Sequence, residues 1–144
     1  MELGFNDVST GTVFDFGSVV LSEQDIIDFA LQHDPMPFHI DKEAAMKSPF
    51  KGLVASGIQL FQHFYLKEWV PRFKNSVMAG KGITEWLLHR PVYAGKISYC
   101  SVEITEHDPK PERGYGAITW HFRFTDEQGQ LLQHLNLIVF HHLK

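Results

Sequence analysis

The sequence predicts an α+β domain, with helices in its first half and an antiparallel sheet in its second. Three observations carry this reading. From Ser56 or Gly57 to Val70, the apolar residues Ile58, Leu60, Phe61, Phe64, Tyr65, Leu66, Trp69 and Val70 cover most of a helix circumference. A helix apolar nearly all round is a buried one, and a sheet wrapped around it would bury it. Later, Ile118, Trp120, Phe122 and Phe124 alternate with Ala117, Thr119, His121 and Arg123, the period of a strand with one buried face. Leu131, Leu135, Leu137 and Val139 alternate in the same way with Leu132, His134, Asn136 and Ile138. Finally, turn residues fall between the late runs, at Tyr93–Lys96, Asp108–Gly114 and Asp126–Gly129, which indicates an antiparallel meander. No repeat, linker or low-complexity tract divides the 144 residues, so a single domain spanning 1–144 is expected.

Taken in order, residues 12–21 are rich in β-branched and aromatic side chains and read as a strand or strand pair. Ser22 and Asp25 fit a capping box, and Ile26, Ile27, Ala30 and Leu31 recur at helical spacing, predicting a helix over 23–33. Pro35 disfavours helical backbone at the residue before it, which puts Asp34 in a loop at the helix exit. Asp41 reads as the N-cap of a short helix from Lys42 to Lys47, ended by Pro49 and Gly52. The buried helix is expected to close at Pro71. Gly80-Lys81-Gly82 reads as a connection, and 83–90 and 97–106 as less regular strands.

Composition narrows the function. The net charge of -4 and a pI near 6.1 argue against nucleic acid as the main partner, because phosphate binding needs a basic surface. No apolar run is long enough for a membrane span, and Met1–Asp7 has neither a basic n-region nor an apolar h-region. With the single Cys100, this points to a reducing, cytoplasmic setting.

The chemistry concentrates between Asp34 and Gly57. A carboxylate and an imidazole, five residues apart on a segment stiffened by Pro35 and Pro37, suit acid/base work. From spacing alone, a loop aspartate and a turn histidine are the commoner explanation. Gly57 opens the buried helix, where unpaired amides attract negative charge and the missing side chain admits close approach. A thioester oxygen becoming an enolate would be stabilised there; a flexible start to a core helix is the alternative.

These residues resemble a known family. Asp34-x-x-Pro37-x-His39-x-Asp41, followed by Phe50-x-Gly52-Leu53-Val54-Ala55-Ser56-Gly57, is similar to the MaoC-like acyl dehydratases and (R)-specific enoyl-CoA hydratases. Glu85–Gly95 looks like the family's strand and turn after the central helix, so the likeness spans about 20–105. It implies a hot-dog fold, a curved antiparallel sheet around a long central helix, usually paired as a homodimer. It also implies that Asp34 and His39 hold the water that adds across the C2–C3 double bond of a trans-2-enoyl thioester. Gly57 would bind the thioester oxygen, and Ser56, Phe61 and Tyr65 would line the substrate site. The carrier would be coenzyme A or an acyl-carrier protein, with no metal or redox cofactor. Met36 stands where many hydratases carry asparagine, Ser56 where they often carry histidine, and Tyr65 where some place a serine.

Other signals are weaker. Gly52–Gly57 lacks the Gly-x-Ser-x-Gly elbow, so Ser56 reads as a cap and not as a nucleophile. Cys100 reads as a buried structural thiol. The nine histidines form neither His-x-x-x-His nor His-Glu-x-x-His, so no metal site is expected, and Gly80-Lys81-Gly82 lacks the context of a dinucleotide loop. His121 and His134 fall on the polar faces of their strands. Lys47, Lys51, Lys81, Arg90 and Lys96 are candidate phosphate contacts without a reason to choose among them. A hydratase/dehydratase is the leading reading. A hot-dog acyl-CoA thioesterase and a non-catalytic acyl-thioester-binding module are the alternatives.

Overall fold

A computed structural model of the chain describes Met1–Leu143. Five antiparallel strands, β1 (Val13–Val20), β2 (Val77–Leu88), β3 (Ile97–Lys110), β4 (Tyr115–Thr125) and β5 (Leu131–His142), form one sheet in the order β1-β3-β4-β5-β2. Only β3, β4 and β5 make the expected meander. β1 adds to the β3 edge and β2 crosses to pair with β5. Register breaks occur in β1 between Asp15 and Gly17, in β3 between Ile104 and Glu106, and at three places along β2. Such bulges bend strands and raise local twist, which curls the sheet.

The Gly80-Lys81-Gly82 connection anticipated from sequence lies inside β2. The glycines fall at a bulge, and the strand begins at Val77. The break predicted from Asp108 starts three residues later, at Pro111, because β3 continues through Pro109 to Lys110. The capping box at Ser22 and the helix α1 (Glu23–His33) match the expectation, as does the short helix ahead of Pro49.

The buried helix differs from the sequence reading at both ends. Gln59–Phe64, Tyr65–Trp69 and Val70–Phe73 run on as one central helix, so it opens two residues after Gly57 and passes through Pro71. Proline lacks the N–H of a regular turn, and its ring crowds the carbonyl four residues back. The Tyr65–Trp69 turn is widened to π spacing, with the Val70 N–H donating to the Tyr65 carbonyl, which relieves that crowding. Arg72 Nη1 donates to the Glu68 carbonyl at 2.6 Å and to its carboxylate at 3.0 Å, holding the same turn from outside. Leu60, Phe64, Trp69 and Phe73 are buried, while Ile58 and Leu66 are exposed; the helix is enclosed on most but not all of its circumference.

The sheet's concave face meets it with aromatics. Phe73 and Trp120 rings lie 4.5 Å apart, Trp69 and Trp120 cross edge to face at 5.5 Å, and Phe61 meets Phe122 at 5.1 Å. One polar chain threads this core. The Trp120 indole N–H donates to His141 Nε2 at 3.3 Å, so His141 Nδ1 carries the proton and donates to Ser76 Oγ at 2.7 Å. Ser76 in turn donates to the Phe73 carbonyl at 2.9 Å. His141 is fully buried, and burial, reinforced by His107 and His142, pushes its pKa down to about 4 from 6.5.

The neutral ring is the form that fits this chain of bonds, so protonation favours the unfolded state. His141 therefore contributes stability that is full above pH 6.5 and drains away as pH falls towards 4. Urea titrations across that window should show a loss of roughly 3 kcal/mol, and His141→Gln should flatten most of the slope. An unchanged slope in the variant would refute the assignment.

Candidate active site

Three short pieces of backbone meet where the chain leads into the central helix. α1 ends at His33 with Asp34 as its C-cap, in the helix exit that the sequence predicts. Met36 then caps α2 (Pro37–Ile40), a one-turn helix that the sequence does not announce. Pro37 suits its first position, where no N–H is needed. Asp41 then caps α3 (Lys42–Met46), accepting from the Glu43 and Ala44 amides, as its spacing predicts.

The extended residues 53–55 form the other wall and are held on both sides. Val54 bridges Tyr93, the Ala55 N–H donates to the Val92 carbonyl at 2.8 Å, and the Ala94 N–H donates to the Leu53 carbonyl at 3.3 Å. On the opposite side the Val54 N–H donates to the Phe38 carbonyl at 3.3 Å.

This clamp orients His39. The ring is 6% exposed, and its Nδ1 lies 2.6 Å from the Val54 carbonyl. A carbonyl only accepts, so Nδ1 carries a proton, and whenever the ring is neutral it presents a bare Nε2. Nε2 faces Asp34 Oδ2 at 3.5 Å, too long for a direct hydrogen bond. Asp34 is half-buried at the cavity wall, and the Ser56 hydroxyl donates to its Oδ2 at 2.7 Å. The structure thus brings together Asp34, His39 and Ser56, with carboxylate and imidazole side by side at the edge of one cavity.

Gly57 lies beside them. Its amide makes no hydrogen bond among the described residues, and a Cβ built on it would sit 2.5 Å from Leu88 Cδ1. Asp34, His39 and Gly57 line a common cavity of about 600 Å³, with Met36, Phe38, Phe50, Val54 and Val92 as its apolar wall. The remaining lining comes from the end of β2 and the residues after it (Leu88, His89, Arg90, Pro91) and from Gln133 on β5. None of these five had been singled out for the cavity wall, because the β2–β5 register that assembles it is set by distant parts of the chain.

The other sequence candidates lie elsewhere. Ser56 is 1% exposed and faces the carboxylate, not the open cavity; its Oγ also accepts from the Ile58 amide at 3.4 Å. Phe61 and Tyr65 are not among the lining residues. Phe61 packs on Trp86 and Phe122, and Tyr65 stacks on Trp69, so both fill the core behind the site. Of the basic residues, Arg90 borders the cavity, and Lys96 lines an adjoining cleft that shares Arg90, Pro91 and Val92 with it. Cys100 is buried, with burial pushing its thiol pKa up and out of nucleophile range. His121 is half-buried and bonded to Asn136 Oδ1 at 2.8 Å, with His134 beside it on the outer sheet face.

This sheet order around a buried helix defines a hot-dog domain. The chain belongs to the family of the MaoC-like domain, whose profile matches residues 6–121, a wider span than the 20–105 of the sequence resemblance and one that reaches into β4. It is 32% identical over 107 residues to the uncharacterized protein YdeM of Bacillus subtilis (strain 168), covering 73% of this chain and 75% of that one. Among solved structures, a MaoC-like dehydratase from Rhodospirillum rubrum matches with a TM-score of 0.85 and 25% identity, over 99% of this chain and 98% of that one. The fold also matches the (R)-hydratase PhaJ1 from Pseudomonas aeruginosa, with a TM-score of 0.81 and 18% identity over 99% of this chain and 88% of that one.

The Gly57 contact makes a prediction. The clash falls on the far end of an exposed side chain, since Leu88 is 59% exposed, so Leu88 turns away at little cost. Gly57→Ala should shift stability by less than roughly 1 kcal/mol in denaturant titration. A larger loss would mean that the backbone itself is constrained there.

Proposed function

We propose that the protein is a hydratase/dehydratase that adds water reversibly across the C2–C3 double bond of a trans-2-enoyl thioester. The observation that carries this is the orientation of His39: the Val54 carbonyl accepts from Nδ1, and Nε2 is left beside the Asp34 carboxylate at the cavity wall. A water on the cavity side of the pair would donate one hydrogen to Asp34 and the other to Nε2.

In hydration, Nε2 takes the water proton as the oxygen bonds to C3. The C2–C3 π pair moves onto the thioester oxygen, and the Gly57 amide donates to that developing enolate. The proton then passes from the Asp34–His39 pair to C2 and restores both groups; dehydration runs the same steps backwards. Ser56 fixes the carboxylate rotamer, which keeps it turned to orient the water.

Membership of the MaoC-like domain family supports this class of reaction, and the (R)-hydratase fold match agrees with it. The thioester's carrier arm would leave past Arg90 towards Lys96, a route that suits the phosphates of coenzyme A. No described helix is long and apolar enough to cross a membrane.

Incubation with trans-2-enoyl-CoAs of graded length, followed by loss of the conjugated enoyl absorbance, tests the reaction. Asp34→Asn and His39→Gln should each lower kcat/KM roughly 10²–10⁴-fold, and Gly57→Ala should lower kcat while the fold persists. Release of free thiol without loss of the double bond would replace this reading with the thioesterase, and binding without turnover with the acyl-binding module.

A homodimer is part of the same proposal. β2 is a sheet edge that exposes Met78, Ile83, Leu87 and Leu88, and such apolar edges call for a cover. Light scattering should give twice the chain mass, and Ile83→Lys should give a folded monomer. A wild-type monomer would remove this part.

A further inference from the structure

We propose that Gln133 selects the acyl chain: its side-chain amide donates to an uncharged oxygen carried by the substrate, so the preferred enoyl thioester is oxygenated and not plainly alkyl. This rests on the thioester reading above. Gln133 interrupts the inward-facing row Leu135, Leu137 and Val139 on β5, yet it is only 2% exposed and lines the cavity that holds Asp34, His39 and Gly57. A primary amide buried among apolar neighbours is costly unless its donors and acceptor are used.

The fold uses only half of it. The Trp86 indole N–H donates to Gln133 Oε1 at 3.4 Å, and indole nitrogen can only donate, so this contact fixes which end of the amide is oxygen. Nε2, with two hydrogens to give, has no protein acceptor among the described residues. Nor is it sealed in the core: the sealed side-chain atoms without partners are Gln59 Oε1 and Trp69 Nε1. It therefore borders the cavity as a donor in need of an acceptor. Met36, Phe38, Phe50, Val54 and Val92 supply the rest of that wall and offer a side-chain polar group to nothing.

The amide is neutral, and Arg90, the cation of the cavity rim, is exposed and donates to the Leu131 carbonyl; the matching acceptor is a keto, hydroxyl or ether oxygen. The proposed mechanism places the thioester carbonyl at Gly57 and the C3 oxygen at the Asp34–His39 pair. Apart from these, two parts of a thioester carry such an oxygen, the acyl chain and the amide-bearing carrier arm. Gln133 is deep in the wall whereas Arg90, on the exit route, is exposed, which favours the acyl chain.

The test uses octanoyl-CoA and analogues with a keto or ether oxygen at successive chain positions, titrated calorimetrically against wild type and Gln133→Met. These saturated esters bind without reacting. At least one oxygenated ester should bind wild type roughly tenfold more tightly than octanoyl-CoA, and the preference should vanish in the variant. Equal binding of all esters to wild type, or binding of none, overturns the proposal. An equal loss for every ester in Gln133→Met assigns the donor to the carrier arm and overturns it too. If that variant fails to fold, Trp86→Phe, which frees the amide to rotate, should weaken the preference, and an unchanged preference counts against the proposal. The trans-2-enoyl counterparts separate the two readings. A binding preference without hydration of any ester sinks the hydratase and leaves this inference standing; hydration at equal rates with equal binding does the reverse.

Discussion

A helix with apolar side chains on most of its faces cannot sit on a sheet; it has to sit inside one. Leu60, Phe64, Trp69 and Phe73 are buried along the central helix, and Phe61, Tyr65 and Val70 pack against the same core, so five strands must bend around it. The bulges in β1, β2 and β3 supply the bend. Enclosure also dictates how the helix is reached. Its start must emerge from the open end of the curl, and residues 53–55 make that passage by pairing with Val92–Ala94. The cavity lies on this seam because only there does backbone leave the sheet while the core is still dry beside it.

The same backbone then sets the chemistry. The Val54 carbonyl is not spent on the Tyr93 side and is left to accept from His39, which decides the tautomer. Ser56, two residues on, holds Asp34. The geometry of the acid/base pair thus comes from residues whose first task is to lead the chain into the helix. A displacement of 53–55 would disturb core packing and imidazole orientation together, which ties the site's precision to the stability of the fold.

What could be read from the sequence follows from distance along the chain. α1, its capping box and the Asp41-capped helix are local patterns and appear where they were expected. Asp34, His39 and Gly57 lie on one short stretch, and they do meet at one cavity. Pro71 misled because a proline ordinarily ends a helix, and the π turn that accommodates it has no pattern of its own. The glycines of β2 misled because an edge strand with bulges tolerates residues that a connection also favours. Phe61 and Tyr65 were expected in the pocket because they are aromatic and on the right helix, but the helix turns them towards Trp86 and Trp69. Ser56 read as a substrate contact because its partner, twenty-two positions earlier, is fixed only by the fold.

Gln133 belongs to that second group, and its position shows a division of labour. The groups proposed to handle protons come from one continuous stretch, held by short-range clamps. Part of the cavity wall beside them comes from Leu88, Arg90 and Gln133, which the β2–β5 register brings to the same place. Leu88 pairs with Gln133 directly, so the residue that limits space over Gly57 and the residue that offers a donor move as a unit. Such a wall can change its polarity through a side chain on a rigid strand without touching the tautomer of His39 or the carboxylate of Asp34. On the proposed function, reaction type and substrate choice are therefore separable, the first set by the path into the helix and the second by the face of the sheet.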